Sequence, residues 1–142
     1  ALLSGVWYFM KQNELRKELG VLTVNQEIIT QPGTKSHLFL PDSTEVWLNS
    51  ASTLRFPSVF KGNERRISLQ GEAIFKVSRN KQKPFIVSTS AMDIEAVGTE
   101  FNVSAYSGDL KLTTTLAEGK VKITDNADAS KILFLDPGTQ VN

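Results

Sequence analysis

Cysteine is absent from the 142 residues and histidine occurs once. The first absence rules out a disulfide framework, zinc–thiolate and iron–sulfur sites, and a cysteine nucleophile. It leaves the compartment open, because a domain of this length stands without cross-links in reducing or oxidising surroundings. A histidine-ligated metal takes at least two imidazoles, or one within a carboxylate cluster, and nothing of that kind surrounds His37. His37 reads instead as a strand residue with an ordinary hydrogen bond. There is no G-x-S-x-G elbow for a Ser-His-Asp triad, and no G-x-G-x-x-G or Walker loop to cradle a nucleotide. Charge of one sign is missing too: Lys and Arg total 16, Asp and Glu 15, and the net charge is +1. Nucleic-acid binding needs clustered basic surface. The densest basic stretch, Lys61, Arg65 and Arg66, is interrupted by Glu64 and reads as a solvated turn. No apolar run approaches the roughly 20 residues of a bilayer span, and no basic leader of a signal peptide opens the chain.

The first ten residues, ALLSGVWYFM, are nevertheless uncharged. Leu3, Trp7, Met10, Leu15 and Leu19 fall at helical spacing, so residues 1–20 read as an N-terminal helix stopped at Gly20. Its second half is polar (Lys11, Gln12, Asn13, Glu14, Arg16, Lys17, Glu18). Two readings of the apolar half stay open: the buried face of a soluble helix, or the outer end of a membrane span. Trp7, Tyr8 and Lys11 suit a membrane–water interface.

Residues 21–142 have a different texture. Five times a short apolar run is broken by a tight turn and restarts as an alternating strand: Leu40–Asn49, Ile67–Val77, Ile94–Val103, Thr115–Ile123 and Leu133–Val141. The expected turn residues are Ser43, Gly71, Gly98, Gly119 and Gly138. Such a quasi-repeat, at about 20–30 residues, suggests similar units stacked on one another. About a dozen short strands follow from the turn spacing. The fold class is therefore all-β after the helix: quasi-repetitive stacked β-coils in a twisted solenoid or arch, with a β-sandwich or jelly roll as the alternative. Side chains alternate across a strand, which nominates Phe75, Val77, Phe85, Val87, Phe101, Val103, Leu116, Val121 and Ile123 for the core.

Among polar residues, Glu72, Glu100 and Glu118 stand near turn glycines. Glycosidases work with paired carboxylates, but a charge at a strand start more commonly blunts a sheet edge. Asp42 and Asp136 precede turns, where carboxylates cap backbone amides. Asn102-Val103-Ser104 matches a glycosylation sequon in mid-strand, a weak signal. Trp47 points away from Val46 and Leu48. Burial under a second layer is the expectation for so large an aromatic; left exposed, it would be a binding anchor. Exposed Trp47 and Tyr106 together would suit a carbohydrate-binding β-sandwich.

Taken in order, LPDSTEVWLNSAS (Leu40–Ser52), RRISLQGEAIFKV (Arg65–Val77), KPFIV (Lys83–Val87), VGTEFNV (Val97–Val103), LAEGKVKI (Leu116–Ile123) and LDPGTQV (Leu135–Val141) resemble the FecR-type periplasmic domain of transmembrane anti-sigma factors, in the form common in Bacteroidetes. The residues carrying the resemblance are Leu40, Pro41, Asp42, Asn49, Gly71, Glu72, Phe75, Gly98, Thr99, Phe101, Gly119, Pro137 and Gly138. Ser43 stands where the family usually has Gly, and Ile74 where an aromatic is usual. The resemblance implies a non-enzymatic domain without a cofactor, in the periplasm and anchored to the inner membrane by a single transmembrane helix. Its implied partners are an extracytoplasmic-function sigma factor, held by a cytoplasmic segment, and the signalling domain of a TonB-dependent outer-membrane transporter. It implies a further periplasmic subdomain after Asn142; the near-balanced charge, for its part, gives no electrostatic footprint for nucleic acid.

Overall fold

Alternating apolar and polar residues, cut by turn residues, build a mostly β structure with one helix. The computed structural model describes residues 2–21, 23–106 and 113–141, with side chains for all of these except 17–21, 113–118 and 141. Helix α1 spans Leu2–Val21. It runs one residue beyond the Gly20 stop, since glycine permits a helix to end without compelling it. Leu2, Leu3, Val6, Trp7, Tyr8, Phe9 and Met10 are all exposed. None of these side chains is buried against the described residues of the chain. Among the described residues, no helix is long and apolar enough to cross a membrane.

Among the described residues twelve strands follow: β1 (Asn25–Ile29), β2 (Ser36–Phe39), β3 (Glu45–Leu48), β4 (Thr53–Pro57), β5 (Arg65–Lys76), β6 (Phe85–Ser88), β7 (Met92–Ala96), β8 (Glu100–Ala105), β9 (Thr113–Glu118), β10 (Val121–Asp125), β11 (Ile132–Leu135) and β12 (Gln140–Val141). They form one open sheet in the order β11-β10-β7-β6-β5-β8-β9-β12, with β4 and β1 added to one half of β5 and β3 and β2 to the other. β5 pairs with β6 in parallel; the remaining described pairs are antiparallel.

β5 organises the molecule. Its 12 residues alternate strictly between buried and outward positions. The first half pairs with β4 and β6, and the second half, from Gly71, pairs with β3 and β8. Gly71 is therefore not a turn, as the repeat pattern suggested; it lies inside the longest strand, where the chain passes from one half-sheet to the other. Its φ is 108°, a conformation that L side chains rarely adopt. A Cβ there would stand 2.2 Å from Ser52 Oγ, and that oxygen accepts the Glu72 amide at 2.9 Å. Ser43 occupies its turn at φ 70°, its amide bonded to the Leu40 carbonyl at 3.0 Å.

The inner faces of the two half-sheets share one core. Phe75 of one lies 6.0 Å, ring to ring, from Phe85 of the other and 5.4 Å from Phe101. Val77, Val87, Val103, Val121 and Ile123 are buried with them, as the alternation required. The Leu116 side chain lies outside the described residues.

Candidate functional site

Most residues of the recurring motifs are absorbed by this scaffold. Asp42 closes the turn after Leu40: one carboxylate oxygen accepts the Thr44 amide at 3.0 Å, and the other accepts the Thr44 hydroxyl at 2.7 Å. The second oxygen also accepts Arg65 Nη1 at 2.7 Å. Arg65 is buried, donates to the carbonyls of Lys83 and Ser78, and lies over the Phe85 ring. Asn49 bonds Glu72 twice, backbone to backbone at 2.8 Å and side chain to side chain at 3.2 Å. Gly98 lies against Arg79, and Gly119 against the methyl of the buried Thr99, so close that a Cβ would overlap either neighbour. Leu40, Phe75 and Phe101 are core residues. Pro137 and Gly138 form the turn between β11 and β12 on the surface.

Trp47 is the exception. It is 36% exposed, which corrects the expectation of burial. The reason is register. Trp47 lies opposite His37 on β2 and Ile74 on β5, on the face turned away from Val46 and Leu48, and among the described residues no second layer covers that face. The His37 and Trp47 rings stack at 5.1 Å with an 11° interplanar angle, and Phe39 lies 5.4 Å from His37. His37 Nε2 meets Glu45 Oε1 at 2.7 Å, which fixes the imidazole against the indole. Phe39 and Ile74 are exposed beside them. The result is a shallow, largely apolar groove of about 210 Å³ lined by Lys35, His37, Trp47, Asn49, Glu72 and Ile74, among others. A preformed aromatic surface of this kind, with a few polar groups at its margin, suits contact with another macromolecule.

The other nominated groups do not converge on it as a catalytic centre. Glu72 stands opposite Ser104 and Glu100 opposite Lys76. The backbone positions of these two residues are four ladder steps apart, about 13 Å along the strands, whereas paired catalytic carboxyl groups stand roughly 5–9.5 Å apart. Glu118 is the register partner of Glu100, and its side chain lies outside the described residues. Tyr106 is not a free platform beside Trp47: it is half-buried, and its hydroxyl donates to the Ser50 carbonyl at 3.0 Å. Among the described residues, no group of three or more His, Cys, Asp or Glu could hold a metal ion.

The described residues thus form a β domain whose motif residues serve turns and core and whose outer face carries exposed aromatic side chains. Comparison with known proteins gives the family. The chain matches the FecR protein family over residues 26–122. Two crystal structures, at 2.50 and 1.65 Å, of a protein from Parabacteroides distasonis ATCC 8503 assigned as an anti-sigma factor superpose with TM-scores of 0.78 and 0.77, at 34% and 35% identity. The matches cover 82% and 81% of this chain and 54% and 53% of those chains, so the present chain spans about half the length of these relatives. No curated protein matches it. The chain belongs to the FecR family of anti-sigma factors, a regulatory family.

Proposed function

We propose that residues 21–142 are the periplasmic sensor and signal-relay domain of a membrane-anchored anti-sigma factor. It restrains an extracytoplasmic-function sigma factor until the signalling domain of a TonB-dependent outer-membrane transporter engages the periplasmic region. Residues 1–20 act as the membrane-proximal end of a single transmembrane helix. Membership of the family supports the regulatory role. The exposure of the apolar residues of α1, with the interface-type trio Trp7, Tyr8 and Lys11, supports the anchoring. Lys11 Nζ lies 4.9 Å from the Trp7 ring centroid.

The observation that carries the relay reading is the outward Trp47 face. Trp47, His37, Phe39 and Ile74 present an aromatic anchor without a catalytic constellation around it. A titration of the chain with the signalling domain of a transporter from the same genome is expected to give a saturable complex. Trp47→Ala should weaken it by about tenfold or more and leave the fold intact. Unchanged affinity in that variant would remove Trp47 from the contact. Absence of any complex with the complete periplasmic region would refute the relay reading.

A further inference from the structure

Among the described residues the open sheet ends in four edges, and they are protected unequally. β1 carries Asn25, Gln26 and Glu27, and Glu27 is ion-paired with Arg55 across the ladder. β2 belongs to the aromatic face described above, and the described residues of β12, Gln140 and Val141, pair with β9. β11 reads Ile-Leu-Phe-Leu, with no charge and no proline. Ile132, Leu133 and Phe134 are exposed, Phe134 to 66%. Natural edges normally avoid such a surface, because unpaired backbone beside apolar side chains is a template for another strand.

The register shows which backbone groups are available. The Asp125 amide donates to the Lys131 carbonyl at 3.1 Å, and Leu133 and Leu135 stand opposite Ile123 and Val121. Hydrogen-bonded and non-bonded positions alternate along an antiparallel ladder. Lys131, Leu133 and Leu135 thus bond toward β10, and the N–H and C=O of Ile132 and Phe134 point to the open side. Lys131 and Asp136 bracket the strand with opposite charges; Asp136 also lies 3.9 Å from Lys120 Nζ in a solvent-exposed pair, which an incoming cation can replace at little cost.

We propose that the β11 edge docks an extended segment of another protein as an added antiparallel strand. The segment has aliphatic residues opposite Ile132 and Phe134, an acidic residue opposite Lys131 and a basic one opposite Asp136. Charge complementarity also selects against a second copy of this chain. A two-fold axis that runs β11 antiparallel to itself preserves the sheet face, so odd positions oppose odd ones and Lys131 never meets Asp136. Four ladder residues bury far less than a standard interface of about 1,600 Å², which makes the contact transient. This surface is separate from the Trp47 face and does not depend on its role.

The test is a titration of the 142-residue chain with the synthetic peptide Lys-Thr-Val-Thr-Val-Glu, followed by backbone amide resonances. Saturable shifts are expected at Ile132 and Phe134. The charge-swapped peptide Glu-Thr-Val-Thr-Val-Lys should bind about threefold more weakly or worse. Methylating both valine nitrogens should abolish binding, because it removes the donors that face β11. Ile132→Pro in the protein should abolish it as well and keep the native spectrum, since that amide does not bond to β10. Trp47→Ala should bind the peptide as the unmodified chain does. Equal binding of the N-methylated peptide, absence of binding, or shifts centred on β1 or β2 would each overturn the proposal. So would a peptide-free dimer that Ile132→Pro dissolves, because it would assign the edge to a second copy.

Discussion

Arg65 and Arg66 are neighbours in sequence and open the same strand, yet they live in different worlds. Arg65 points inward and its side chain is 2% exposed; Arg66 points outward and is 44% exposed. Arg65 is tied to Asp42, two backbone carbonyls and the face of Phe85. Arg66 forms ion pairs with Glu64 and Asp93 on the surface, and these pairs, Glu64 before Asp93, hold its pKa above the ordinary arginine value. The difference teaches that a salt bridge's structural weight is set by its surroundings. A buried cation that loses its partner stays desolvated and uncompensated. An exposed one turns back to water and counterions.

The sharpest way to break this comparison is to remove the acid from each pair in turn. Asp42→Ala should lower stability by about 3–5 kcal/mol, the consequence of stranding a buried guanidinium, read as a drop in the denaturant midpoint. Phe75→Ala, on the same strand and in the core, should lose a similar 3–5 kcal/mol, and near-wild-type thermal stability would refute its core role. Gly71→Ala, at the point where β5 changes half-sheets, should cost about 2–5 kcal/mol from backbone strain and overlap with Ser52. Asp93→Ala, the outer counterpart of Asp42→Ala, should cost less than about 1 kcal/mol, and the loss should shrink further in high salt. If Asp42→Ala and Asp93→Ala proved equally mild, the buried–exposed distinction would fail.

The smallest effect is at Asp128. Its carboxylate accepts the Ser130 hydroxyl at 2.6 Å and the Ser130 amide at 3.0 Å, which lowers its pKa below the usual aspartate value, the hydroxyl first. A folded-state pKa that is depressed contributes stability above the unfolded pKa, and this is lost as pH falls through the folded one. Ser130→Ala should therefore raise the Asp128 titration midpoint in an NMR-monitored acid titration. An unmoved midpoint would assign the shift to another cause.

Much of the scaffold was legible from residue order. Phe75, Val77, Phe101 and Val103 alternate with polar neighbours, and a period of two leaves a strand only one face to bury. The same reasoning erred on Gly71, because glycine marks a turn and a mid-strand kink alike. It also erred on Trp47. Alternation placed the indole opposite Val46 and Leu48, but whether a second layer covers that face depends on elements remote in sequence. Tyr106 was read as a possible platform; its bond to Ser50, 56 residues away, could not be foreseen from either segment.

The sequence by itself determined the all-β class after one helix, the inward set of side chains, the absence of cysteine chemistry and the kinship with FecR proteins. Each of these rests on local composition, period or motif order. Tertiary structure alone decided that Asp42 neutralises a buried Arg65, that β5 serves both halves of the sheet, that Trp47 stacks on His37 in the open, and that among the described residues β11 has a neighbour, β10, on one side only. These are matters of which strands become neighbours, and pairing is settled by closure of one shared core.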